Sequence, residues 1–129
     1  MGPRQVLDEL HETINGHDPA GGRHLFHPDA HIVAATGRVM TVGGLTRLLD
    51  HTIAAFPDLR VTVERWVENG DVVVTEELMH GTHNGEFAGI LPTGRPVQLR
   101  ICHVTRVVDG RIVERNAYHD TAGILRQLA

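Results

Sequence analysis

An α+β domain is predicted by three features of the 129-residue chain. Apolar residues recur at helical spacing up to Pro57, and beyond it they alternate with polar ones. The alternating segments meet at two turn dipeptides, Asn69-Gly70 and Asp109-Gly110. Helices first and an antiparallel meander afterwards give α+β rather than an alternating βαβ order.

The elements follow in order. PRQVLDELHETIN opens a helix with Pro3 at its start and Val6, Leu7, Leu10 and Ile14 on one face, and Asn15-Gly16 ends it. DPAGGRHLFHPDA predicts a turn and a short helix around Arg23 to Phe26, stopped at Pro28. His31 to Ala35 reads as a short strand followed by Gly-rich punctuation. From Thr41, TVGGLTRLLDHTIAAF carries Leu45, Leu48, Leu49, Ile53 and Phe56 on an apolar stripe, and Pro57 closes this second main helix.

Leu59, Val61, Val63 and Val67 then alternate with polar residues up to the Asn69-Gly70 turn, and VVVTEELMHGTH is the partner strand. NGEFAGILPTGRP, with three glycines and two prolines, is a loop. Two longer strands, Val97 to Val108 and Arg111 to His119, meet at Asp109-Gly110, and TAGILRQL is a closing helix. No repeat or linker interrupts this pattern, so one domain spanning 1–129 is expected.

Composition narrows the function. A net charge of -4 and a pI near 6.2 argue against nucleic-acid binding, which calls for a basic face. No apolar run is long enough to span a bilayer, and Cys102, the single cysteine, has no partner for an intramolecular disulfide. A soluble cytoplasmic protein is the expectation.

Ten histidines invite a metal or proton-transfer reading. HETIN begins like HExxH but has Asn15 where the second histidine belongs, and Pro28 separates His27 from His31. His80 and His83 fall on opposite faces of a strand. Scattered histidines without metal are therefore expected. Nucleophilic catalysis finds no support either: Cys102 and His103 point to opposite faces, and no G-x-S-x-G or phosphate-binding glycine loop is present.

The last hairpin carries the ionisable residues that stand out. Leu99, Ile101, His103, Thr105 and Val107 share one strand face, and Asn116, Tyr118 and Asp120 share a face of the next. If both sets line one concavity, it is apolar with a few polar groups, as small-molecule pockets are. Two readings of Asp120 stand at this point: a pocket carboxylate, or the N-cap of the helix beginning at Thr121. His103 likewise reads as a pocket group or a satisfied core histidine.

GTHNGEFAGILPTGRPV, then H-x-x-R-x-x-D-G-R-I-x-E-x-x-x-x-x-D and GILRQL, resembles the SnoaL-like polyketide cyclases of the nuclear transport factor 2-like superfamily. AAFPDLRVTVE followed by ENGD fits the same pattern. The resemblance implies a curved antiparallel sheet wrapped into a helix-lidded cone, dimeric through the sheet's outer surface. It implies cofactor-independent aldol ring closure of an aromatic polyketide ester. Asp120 occupies the place of the family's general acid/base and His103 that of a pocket histidine. Asn116 stands where many relatives carry tryptophan, and Gly21 to Gly44 match only loosely.

In the mechanism so implied, Asp120 removes an acidic C–H and returns the proton to the new alkoxide, with its pKa raised by burial. His103 donates a hydrogen bond or holds Asp120, and Asn116, Tyr118, His83 and Phe87 bind substrate. His119 is expected to point away from Asp120. The alternatives on the same fold are an epoxide hydrolase, an isomerase, a cofactor-free hydroxylase or a non-catalytic binder of small molecules.

Overall fold

The computed structural model describes residues 1–129. Helix α1 (Pro3–Asn15) leads into a 3-10 turn (Pro19–Leu25), strand β1 (Phe26–Val33), the two-residue strand β2 (Val39–Met40) and helix α2 (Val42–Ala55). Strands β3 (Arg60–Asn69), β4 (Val72–Thr82), β5 (Pro96–Val108) and β6 (Arg111–His119) precede helix α3 (Thr121–Leu128). The six strands form one curved, unclosed sheet in the order β2-β1-β6-β5-β4-β3.

Local chemistry explains the main elements. Pro3 stands in the first turn of α1, where its missing N–H costs nothing. Thr41 caps α2 by accepting the Gly44 N–H at 3.0 Å. Asp109 and Gly110 both take positive φ (51° and 76°), the backbone of a tight turn whose twist matches its flanking strands. Val6, Leu7, Leu10 and Ile14 are buried, and α1 lies across β3 to β6. These residues join a core of 20 buried apolar side chains that includes Phe56, Val73, Val97 and Ile112.

Four expectations need correction. Pro28 does not stop a helix: it lies within β1, in the irregular stretch between Phe26 and His31 where no ladder bond needs its N–H. β1 runs parallel to β6, so the sheet is antiparallel only from β3 to β6 and between β1 and β2. Leu48 of the proposed α2 stripe is largely exposed, while Leu45, Leu49 and Ile53 are half-buried. The fourth is a β-bulge between Val63 and Arg65, which reverses the phase of β3. Trp66 consequently turns inward opposite Thr75 and Val67 outward, 52 % exposed.

Candidate active site

A second bulge decides which residues can meet. In β6, Ile112 lies opposite Val107 and Glu114 opposite Arg106, so Val113 is the extra residue. Beyond it the phase flips. Arg115 faces Thr105, Ala117 faces His103 and His119 faces Ile101, all on the inner side covered by α1. Asn116 and Tyr118 stand opposite Val104 and Cys102 on the outer side. The expectation that Asn116 and Tyr118 share a concavity with His103 therefore does not hold. Cys102 does lie opposite in phase to His103, as strand alternation requires.

Asp120 follows β6 directly and caps α3. Its Oδ1 accepts the Gly123 N–H at 2.9 Å, and its Oδ2 accepts from Arg126 Nη2 at 2.9 Å. The side chain is exposed, 64 % open to solvent. The Gly123 N–H first, and the Arg126 charge with it, holds the carboxyl below its ordinary value. The inward, burial-raised carboxylate expected from the sequence is thus replaced by an ionised cap.

His83 and Phe87 sit in the segment after β4, away from His103. His83 is fully buried, stacks on Phe56 with ring centroids 5.7 Å apart, and accepts the Thr93 N–H at Nδ1 (3.2 Å). Its Nε2 has no partner. Phe87 is half-buried against Phe56 at 5.4 Å. Gly85 anchors this segment: its N–H donates to Ala55 O at 3.0 Å, and a Cβ there would lie 2.1 Å from Ala54 O. Only glycine permits so close an approach.

The polar centre of the inner face was not foreseen. Glu77 of β4, 3 % exposed, points inward between Thr75 and Met79. Its Oε2 accepts from Thr75 Oγ1 at 2.7 Å and from His103 Nδ1, and its Oε1 meets His11 Nε2 of α1 at 3.0 Å. His11 Nδ1 lies 2.7 Å from the Leu7 carbonyl. A carbonyl only accepts, so His11 Nδ1 donates to it. Arg115, also buried, donates to Thr105 Oγ1 at 2.8 Å. Arg4 stacks 4.1 Å over Trp66, whose ring edges against His11.

A buried carboxylate is tolerable only when paired and hydrogen-bonded. Burial by itself would raise Glu77, but the hydrogen bonds from His103 and His11, with the charge of Arg115, outweigh it and hold the group well below the carboxylate range. His103 is lowered to about 4, chiefly by burial and then by the Arg115 charge, with Glu77 opposing both. At neutral pH the cluster therefore contains an ionised Glu77 and a neutral His103. His119, on the same face, is lowered by burial.

Two sequence signals pointed to this cluster. His11 interrupts the apolar stripe of α1, and Glu77 falls in the inward phase of a strand whose neighbours in that phase are Val73, Thr75 and Met79. Each is a polar group where the pattern asks for an apolar one. No group of three or more His, Cys, Asp or Glu side chains is arranged to hold a metal ion. A depression of about 200 Å³ adjoins β4 and β5, lined by Glu64, Glu76, Arg100, Cys102 and Tyr118 and also by Glu77 and Ile101.

The family model described as SnoaL-like polyketide cyclase matches residues 4–128. Wild-type IdmH of Streptomyces antibioticus, a candidate polyketide cyclase, is 36% identical over 99% of both chains, with a TM-score of 0.88. AclR of Streptomyces galilaeus, a candidate hydroxylase, is 26% identical over 98% of this chain and 83% of its own, at a TM-score of 0.89. Nogalonic acid methyl ester cyclase of Streptomyces nogalater is 34% identical over 55% of this chain and 53% of its own. Aklanonic acid methyl ester cyclase DnrD of Streptomyces peucetius is 36% identical over 47% and 42% respectively. The chain spans about half the length of these curated relatives.

Proposed function

The chain belongs to the SnoaL-like polyketide cyclase family, and from that premise we propose that it closes a ring in a polyketide ester by intramolecular aldol addition, without a cofactor. Burial, lowering its pKa to about 4, favours the neutral ring of His103, and the observation that carries this reading is geometric: the residue lies on the inner sheet face with Nδ1 engaged by Glu77 and no protein partner at Nε2. Such a nitrogen accepts a proton from a C–H flanked by carbonyls. The enolate then attacks a second carbonyl, and the imidazolium returns the proton to the alkoxide. Extended conjugation in the substrate spreads the enolate charge, so a base of modest strength suffices.

Apolar surface on α2 (Leu45, Leu49, Ile53), in the segment after β4 (Phe87, Ile90) and on β5 (Ile101) is only partly buried. A flat, apolar, carbonyl-bearing substrate suits it. His83, fully enclosed, serves this reading by packing rather than by contact. A second reading assigns the acid/base to Asp120, because its ionised carboxylate is open to a substrate at the end of β6.

The proposal extends to assembly and location. A second copy would cover the outer sheet face, where Tyr118 is 58 % and Val67 52 % exposed. The cytoplasm, which keeps Cys102 reduced, is the proposed compartment, and no helix is long and apolar enough to cross a membrane.

The test offers the purified protein aromatic polyketide methyl esters bearing an uncyclised β-carbonyl side chain, in metal-free buffer, and follows product by mass spectrometry and chromatography. Ring-closed product formed faster than in buffer is expected. Absence of acceleration with every such ester would refute the cyclase reading.

A further inference from the structure

We propose that Glu77 is a positioning residue: it fixes His103 as the Nδ1–H tautomer, so that Nε2 is the proton acceptor of the site. This deepens the cyclase reading and rests on it for the identity of the substrate. Four contacts carry the inference. His103 Nδ1 is bonded to Glu77 Oε2, and the same oxygen is held from below by Thr75 Oγ1 at 2.7 Å. Glu77 Oε1 is pinned from the other side by His11 Nε2 at 3.0 Å, and His11 is itself fixed to the Leu7 carbonyl. The carboxylate therefore cannot turn away from His103.

An ionised carboxylate only accepts, so the hydrogen in the His103 contact belongs to the imidazole. A neutral imidazole carries one ring hydrogen. With it on Nδ1, Nε2 has a lone pair, and the His103 side chain keeps 16% of its surface exposed. The proton taken from a substrate carbon goes to that lone pair while the C–H electrons become the enolate. The imidazolium so formed keeps its Nδ1–H bond to the Glu77 anion, which offsets the new charge beside Arg115. In this arrangement a carboxylate orients the histidine and stabilises its charged form without itself being protonated, as in other carboxylate–histidine pairs.

Two groups of measurements decide it. Long-range proton–nitrogen NMR of the uniformly ¹⁵N-labelled chain at pH 7 reads the tautomer directly, with His103 assigned by its loss in His103→Gln. A protonated Nδ1 with an unprotonated Nε2 is expected; the Nε2–H tautomer or an imidazolium overturns the proposal. Glu77→Gln supplies the second readout, since its amide oxygen still accepts from Nδ1 but the anion is gone. The His103 titration midpoint should then fall further and kcat drop at least tenfold with KM little changed. An unchanged midpoint and kcat in a folded Glu77→Gln protein also overturns it. Should that variant fail to fold, the wild-type tautomer decides alone. The expected tautomer in a protein inert toward all polyketide esters supports the positioning of His103 and refutes the cyclase reading instead.

Discussion

Asp120 and Gly123 are joined across the first turn of α3, the carboxylate accepting the glycine N–H at 2.9 Å. Asparagine caps a helix about as well as aspartate. Asp120→Asn should therefore melt within about 3 °C of wild type, the Arg126 pair being exposed and worth little. Its turnover should stay within a few-fold of wild type, while His103→Gln should lose roughly 10²- to 10⁴-fold. A hundredfold loss in a normally melting Asp120→Asn protein would move the acid/base from His103 to Asp120.

Tyr118 should matter for association rather than turnover. It stands opposite Cys102 on the outer face and is mostly exposed. Tyr118→Glu should shift the protein toward monomer in light scattering while leaving kcat per chain near wild type. Loss of kcat without a change in mass would place Tyr118 in the site after all.

The limits of sequence reading show in these residues. The strands, the two glycine turns and α1 to α3 were legible because their periodicity and capping are local properties. Pairing of Asn116 and Tyr118 with His103 was misread because a single extra residue, Val113, inverts every side chain beyond it. The same happens at the β3 bulge to Trp66 and Val67. Such bulges leave no mark in the hydrophobic pattern that one sequence can reveal. Glu77 and His11 lie 66 positions apart and meet only because α1 crosses β4. Each was visible as an anomaly in its own element, but their contact was not.

Gly85→Ala should displace the segment after β4. A Cβ there meets the backbone oxygen of Ala54, which belongs to α2 and cannot swing aside as a side chain would. A loss of about 1–3 kcal/mol is expected from denaturant titration. Phe87, packed on Phe56, should also become more exposed to hydrogen–deuterium exchange in its neighbourhood. Wild-type stability in Gly85→Ala would show that this approach is not tight.

Stability should fall on acidification in two overlapping stages. His103 titrates at about 4 in the fold against 6.5 when unfolded, so between these values the unfolded chain binds more protons. Its contribution is complete above about pH 6.5 and is lost as pH falls toward 4. Glu77, lowered from 4.5, adds a contribution present above pH 4.5 and lost below it. Melting temperature should thus decline from about pH 6.5 downward, and His103→Gln should reduce the upper part of that slope, the remainder belonging to His119. A flat profile from pH 7 to 5 in the wild type would contradict the depressed His103.

Arg115→Met offers a test of sign. The buried guanidinium lowers His103 by its charge and lowers Glu77 by the same means. Methionine fills much of the same space without charge, so the His103 midpoint should rise from about 4 toward its ordinary value near 6.5. The proton-accepting form would then be lost at higher pH, and the acidic limb of the kcat profile should shift upward by the same interval. Thr105 loses its hydrogen-bond partner, so some stability is lost as well, on the order of 1–3 kcal/mol. That loss is separable, because it is independent of pH above 7 while the limb is not. An acidic limb that stays in place when the His103 midpoint moves would mean that His103 is not the base.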